Sequence, residues 1–403
     1  MRKISAAVLV AGALAGLPLG ASAASSAAPA GDTALVAALR ADAQAYLDAR
    51  HVPEHISAVS VSVNLKGAAN TIDTAVGTMR FDGGGAVTPA SLFQIGSNTK
   101  AFTAVMILQL EAEGKLSIED KLGKWLPQYP AWKDVTIRQL LDMTSGIPTY
   151  DDDASVMGAY AAHPMKHLTA QELIGAVYPK LVADAGWRYS NTNYLLAQTI
   201  IEKATGHTYA QELQSRVFAN PALGLHSTYY EPYAYPAAIT NRQVSGYFTS
   251  TDAENAALKP LLGKDVKLLS VSWMQGAGGI VSTPADVSRW SRALYEGPLL
   301  ADKQRREMET LVSLANGKPI AVTTPKDPRG FGLGVGQTTM KDLGTFWFYQ
   351  GETLGYRVLY GWFAKSDAVI VVAAISQPSA KDDKLGKDLM PAVYATLKKF
   401  GKL

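Results

Sequence analysis

Residues 101–110 are apolar on every side of a helix, and no other stretch limits so strongly what this chain can fold into. Ala101, Phe102, Ala104, Val105, Met106, Ile107, Leu108 and Leu110 leave no polar face, so a helix here has to be enclosed by other layers. Gly114 followed by Lys115 marks its C-terminal stop. At its head stands Phe93-Gln94-Ile95-Gly96-Ser97-Asn98-Thr99-Lys100, in which Ser97 and Lys100 share one face, a turn apart. A lysine at the root of a buried helix, beside the positive end of the helix dipole, is pushed toward its neutral form. A neutral amine beside a hydroxyl can act as a base, which makes Ser97 a candidate nucleophile. Ser-x-x-Lys occurs nowhere else in the 403 residues. Two readings fit the pair alone: a catalytic couple, or a helix cap followed by a snorkelling lysine.

The chain begins with Arg2 and Lys3, an apolar run over 4–17, and Ala21-Ser22-Ala23. A basic start, an apolar centre and a small-residue end read as a secretory signal peptide over 1–23. The run is too short to span a bilayer, so the expected mature chain has no integral membrane segment and is exported, in the style of a bacterial periplasmic protein. Zero cysteines exclude thiol catalysis, disulfides and Cys-based metal sites. Lys and Arg number 38 and Asp and Glu 35; without Arg2 and Lys3 the balance is 36 to 35. With no basic cluster, nucleic acid and anionic membrane are not expected partners.

Along the chain, residues 33–50 have helical spacing, and 58–63 and 71–76 alternate as a β-hairpin. Gly83-Gly84-Gly85 is read as a loop. Helical patterns follow over 135–143, 169–178 and 193–204, the last stopped by Gly206. A helix over 284–295 starts with Thr283 as N-cap and Pro284 in its first turn. Strand-like runs cover 331–337, 344–349, 356–363 and 368–375, and 382–400 closes the chain as a helix. Strands at both ends with helices between them predict an α+β architecture. An antiparallel sheet flanked by N- and C-terminal helices (lobe 33–117 and 273–403) carries an inserted, mostly helical lobe (118–272), all within one unit, 24–403.

Four segments, taken in order, narrow this further. They are 93–100, then Leu140-Leu141-Asp142-Met143-Thr144-Ser145-Gly146-Ile147, then Gly186-Trp187-Arg188-Tyr189-Ser190-Asn191, then Ala277-Gly278-Gly279-Ile280-Val281-Ser282-Thr283. Together they resemble the serine β-lactamase and penicillin-binding-protein superfamily, in its class C β-lactamase, DD-peptidase and family VIII esterase branch. The resemblance covers the chain from about residue 58 onward and implies a β-lactamase-like fold. It implies Ser97 as the acylated nucleophile, Lys100 as its proton partner and Tyr189 as general base and later acid, with a phenol pKa depressed by the Lys100 ammonium. Asn191 would hydrogen-bond the substrate, or cap the helix that follows. The backbone N–H of Ser97 supplies one oxyanion donor.

The family's third motif, Lys-Thr-Gly or His-x-Gly, is matched by Tyr349-Gln350-Gly351-Glu352-Thr353-Leu354-Gly355-Tyr356. Gly351 would let substrate lie against the strand, and the Glu352 N–H would be the second oxyanion donor. Tyr349 stands where the family places Lys or His, so Tyr349 and Gln350 offer no cation for a substrate carboxylate. The implied substrate is a small molecule or peptide: a β-lactam, a D-amino-acid peptide or an ester. No cofactor is expected. A non-catalytic protein that keeps the fold and binds ligand without efficient turnover is the alternative.

The rival signals are thin. His51/His55 and His163/His167 are four apart, but neither pair sits in H-E-x-x-H and Pro164 interrupts the second. Asp151-Asp152-Asp153 lacks a calcium-loop pattern and is expected to be a solvated loop near the cleft mouth. G-x-S-x-G, which an α/β-hydrolase elbow requires, is missing from the sequence.

Overall fold

A computed structural model describes residues 30–403; the expected signal peptide over 1–23 lies outside the described residues. The chain forms a ten-stranded sheet in which every neighbouring pair runs antiparallel. From one edge to the other its strands are Gly83–Ala86, Ile72–Arg80, Ala58–Leu65, Ala368–Ile375, Tyr356–Phe363, Gly344–Thr353, Gly336–Met340, Arg329–Phe331, Leu311–Ser313 and Pro319–Ile320. The first hairpin and the last strands therefore meet at the centre, with Val61 opposite Val372.

Helices cover both faces of that centre. The Ala30–Arg50 helix lays Leu35, Leu39, Ala43, Tyr46 and Leu47 on the sheet. On the other face the Pro284–Glu296 helix receives the polar side of Ala58–Leu65: Ser62 hydrogen-bonds Ser288 at 3.2 Å and Arg292 Nε donates to Asn64 at 2.8 Å. Strand alternation puts Val59, Val61 and Val63 on one face and Ser60 and Ser62 on the other. Both sets are buried. Thr283 caps the Pro284–Glu296 helix as the sequence implies, accepting from Asp286 N.

The segment between the two halves of the sheet is mostly helical, with helices at Ile137–Leu141, Ala154–Ala162, Ala170–Val177 and Asn191–Thr205. The first and third start in capping boxes, Thr136 with Gln139 and Thr169 with Glu172. The all-apolar helix, Thr99–Ala112, packs on Asn191–Thr205 and is buried as its composition demands: of residues 99–110, only Gln109 is not fully enclosed.

Three expectations change. Gly83-Gly84-Gly85 is not simply a loop: Gly83–Ala86 pairs with Ile72–Arg80 as an edge strand. The run 331–337 is two strands rather than one. Gly334 turns with φ +77°, and a Cβ there would stand 2.9 Å from the Lys100 carbonyl oxygen, so the chain folds back and pairs Gly336 with Phe331. The closing helix begins with a π turn, Leu385–Leu389, and becomes regular over Met390–Lys399.

Candidate active site

Ser97 sits in a 3-10 turn, Gly96–Asn98, that leads directly into Thr99–Ala112. The turn is wedged against the strand Gly344–Thr353. A Cβ on Gly351 would lie 1.9 Å from the Ile95 carbonyl oxygen, and one on Gly96 (φ +50°) would lie 2.3 Å from that of Glu352. Two backbones approach here more closely than any side chain permits. Gly351, expected to let substrate lie against the strand, here makes room for the Ile95 carbonyl that precedes the Ser97 turn. Asn98 Nδ2 clamps the turn by donating to Ile95 O and Val358 O, both at 2.9 Å. On the other side, Ile95 N donates to Ile280 O at 3.0 Å and Ile280 N to Thr99 Oγ1 at 3.2 Å. The glycine-rich segment before Thr283 thus also fixes the position of Ser97.

Lys100 is fully buried. Its Nζ donates to Ser97 Oγ at 2.9 Å, Asn191 Oδ1 at 2.6 Å and Ala277 O at 2.8 Å, and lies 4.8 Å and 5.5 Å from the ring centres of Tyr189 and Tyr194. Burial pulls its pKa down to about 7, against the opposing pull of the Asp151 charge. Tyr189 reaches the same oxygen from the other side, its hydroxyl 2.6 Å from Ser97 Oγ. The depressed phenol pKa expected there is contradicted. The protein packed around the Tyr189 hydroxyl pushes it up, outweighing its hydrogen bond to Ser97, and a lysine that itself loses charge in this site supplies little opposing field. Near neutrality the lysine, not the tyrosine, is therefore the group whose charge changes with pH.

Tyr349 is buried, stacks edge-on to Phe331 at 5.7 Å and hydrogen-bonds the Tyr189 hydroxyl. Gln350 Nε2 donates to Glu352 Oε1 at 2.7 Å and to Asp383. Asn191 is the first residue of its helix, and Ser190 is the cap position. The Asn191 side chain caps nothing: it bridges Lys100 to Asp151, Nδ2 donating to Asp151 Oδ2 at 2.8 Å. Asp151 is the residue missed in the sequence. Instead of a solvated triplet, the structure has Asp151 bonded to Asn191 and Thr149, Asp153 capping Ala154–Ala162, and Asp152 exposed. His51 and His55 stack on Phe81, at 4.5 Å and 3.6 Å.

Above Ser97 opens a cleft of about 350 Å³ between the helical segment and the sheet. Met157, Leu258, Trp273 and Leu354 give it apolar walls, and Asp151, Glu254 and Glu352 give it three carboxylates. Among the described residues that line it there is no Lys, Arg or His. All eight residues singled out in the sequence fall in this region. Ser97, Tyr189, Asn191, Tyr349, Gln350 and Glu352 line the cleft, Lys100 lies beneath Ser97, and Gly351 lies under the turn.

Comparison with known proteins gives a consistent picture. The family model described as Beta-lactamase matches residues 43–395. Penicillin-binding protein 4* of Bacillus subtilis (strain 168) is 34% identical over 238 residues, covering 57% of this chain and 51% of that protein. Teichoic acid D-alanine hydrolase of Staphylococcus aureus (strain MRSA252) is 25% identical over 227 residues, covering 56% and 52%. The matched region thus spans about half the length of these curated relatives. Among solved structures, a D-stereospecific amidohydrolase from Streptomyces sp. superposes with a TM-score of 0.70 at 25% identity, covering 88% of this chain and 98% of that one. D-amino acid amidase from Ochrobactrum anthropi SV3, complexed with D-phenylalanine, gives 0.74 at 24% identity, covering 91% and 99%, a likeness of fold.

Proposed function

Because the chain belongs to the Beta-lactamase family, we propose that it is a serine hydrolase working by two-step acyl transfer through Ser97. The observation that carries this is the convergence of Lys100 Nζ (2.9 Å) and the Tyr189 hydroxyl (2.6 Å) on Ser97 Oγ, both within proton-transfer reach. Neutral Lys100 accepts the Ser97 proton as Oγ bonds to the substrate carbonyl carbon. The backbone N–H groups of Ser97 and Glu352 stabilise the oxyanion. Tyr189, kept protonated by its surroundings, gives its proton to the departing nitrogen or oxygen and recovers one from the Lys100 ammonium. Water then attacks the acyl-enzyme, loses a proton to the same pair, and Ser97 Oγ is released with a proton restored.

The substrate class follows from charge. A β-lactam or a peptide ending in D-alanine presents a carboxylate, whereas this cleft offers the carboxylates of Glu254 and Glu352, besides an Asp151 already engaged by Asn191 and Thr149, and no exposed cation; Tyr349 occupies the place of the family's Lys or His. Like charges brought together in one cleft repel. An acyl donor with a free ammonium, such as a D-amino-acid amide, ester or short peptide, suits it better. The names of some relatives, a D-stereospecific amidohydrolase and a teichoic acid D-alanine hydrolase among them, support the same reading. The leader-like start of the chain supports work outside the cytoplasm, which N-terminal sequencing of exported protein tests. For the substrate, we expect D-amino-acid amides and esters to be turned over with kcat/KM at least tenfold above their N-acetylated forms and above a chromogenic cephalosporin. Preference for the cephalosporin, or indifference to the amine, would refute the assignment.

A further inference from the structure

Given Ser97 as nucleophile and Lys100 as its base, the reading proposed above, the hydrogen bonds around Asn191 assign a task to a residue outside that pair. We propose that Asp151 is a positioning residue: its carboxylate locks the Asn191 amide in the one orientation that turns Oδ1 toward Lys100. An asparagine amide can rotate by half a turn and exchange its donor and acceptor ends. Here both ends are occupied, Nδ2 by Asp151 Oδ2 at 2.8 Å and Oδ1 by Lys100 Nζ at 2.6 Å.

A carboxylate only accepts, so Nδ2 is the only end of the amide that can face it. The reversed amide would set an oxygen against a carboxylate and an NH₂ against an amine. Asp151 is itself held: Asn191 N donates to Thr149 Oγ1 at 3.0 Å, which leaves the Thr149 hydroxyl proton for Asp151 Oδ1. Backbone N–H, hydroxyl, carboxylate and amide form a closed circuit that ends on Lys100.

The consequence reaches the proton held by Lys100. Around Nζ stand Ser97 from its own turn, Asn191 and Tyr194 from the Asn191–Thr205 helix, Tyr189 from the segment before it, the Ala277 carbonyl, and Asp151 beyond Asn191. Asp151 is the only carboxylate of this group, and its charge favours the ammonium form. Asp151→Asn removes both the accept-only partner and the charge. The ammonium is then less favoured, and the neutral base persists to lower pH.

The test measures Ser97 labelling by a neutral fluorophosphonate against pH, together with kcat and KM for one ammonium-bearing and one uncharged acyl ester, on wild type, Asp151→Asn and Asp151→Glu. Asp151→Asn should lower kcat about tenfold or more with both esters, leave both KM values within about threefold, and move the acid limb of labelling to lower pH. Asp151→Glu, which keeps an accept-only partner, should retain the wild-type limb. A wild type left unlabelled at Ser97 would overturn the acylation reading and this inference with it. A labelled wild type whose rate and limb are unchanged in Asp151→Asn would overturn this inference alone. So would a change confined to KM for the ammonium-bearing ester, which would make Asp151 a counter-ion for substrate.

Discussion

Three acceptors surround Lys100 Nζ, and all solvent is excluded from it. Burial against those acceptors leaves its pKa at about 7, and the sign of the pH dependence follows. In the proposed mechanism the neutral amine is the base, so kcat/KM should rise with pH through about 7 and fall tenfold per unit below it. Lys100→Met keeps the volume and removes the base; the variant should stay folded and lose about 10³-fold or more in acylation rate, read by stopped-flow labelling. Tyr189→Phe keeps the ring over Lys100 and removes the hydroxyl at 2.6 Å, so it should still label at Ser97, about 10²-fold more slowly. At this scale Ser97, Lys100, Tyr189 and Asn191 were legible because each stands in a short motif of fixed spacing. Asp151 was not, because one carboxylate in a run of three carries no sign of which asparagine it will face. The direction of the Tyr189 shift was misread for a related reason: it depends on how dry the site is, and spacing along a chain does not report that.

The element that organises the site is the contact between the Ser97 turn and the strand Gly344–Thr353. With Gly351 under Ile95 O and Gly96 against Glu352, neither backbone can shift without displacing Ser97. Gly351→Ala places a methyl 1.9 Å from a carbonyl oxygen. It should cost about 1–3 kcal/mol in urea unfolding, as overpacking does, and slow labelling by more than tenfold because the turn has to shift. A variant with wild-type stability and wild-type rate would show that the two backbones are not in contact. Most elements could be placed from periodicity and caps: the helices at Pro284–Glu296, Ala170–Val177 and Asn191–Thr205 begin within two residues of where those signals put them. Gly332–Val335 could not, since the break there arises from the nearness of the Lys100 carbonyl, a neighbour more than two hundred residues away. The short strands Leu311–Ser313 and Pro319–Ile320 were missed because two or three residues are too few to show alternation.

Across the whole molecule, the two ends of the described chain are tied at Arg357, which is fully buried on the strand Tyr356–Phe363. Its NH2 group meets Glu54 at 3.1 Å, just past the N-terminal helix, and its NH1 group meets Asp383 at 2.6 Å, just before the C-terminal helix. Burial pushes the Asp383 carboxyl up, but Arg357 and the Leu385 N–H outweigh it and hold the group below its usual range. Asp383 therefore adds stability at neutral pH that is lost as pH falls through its folded pKa. Arg357→Met leaves the partly buried Asp383 without its counter-charge and the buried Glu54 with Arg50 alone. It should cost about 3–5 kcal/mol at pH 7 and less at pH 5, where protonation relieves the pair, as measured by urea unfolding at both values. Such a tie could not be read in advance, although the meeting of first and last strands in one sheet could. Its result is to hold Gln350 and Glu352, joined to Asp383 through Gln350, at the wall of the cleft. The central claim is that Ser97 is the atom acylated there, and it is tested most directly by intact mass and peptide mapping after exposure to a fluorophosphonate. A single adduct on Ser97, absent in Ser97→Ala and formed faster as pH rises through about 7, is the expected result; a folded protein that stays unmodified, or carries the adduct on another serine, would contradict it.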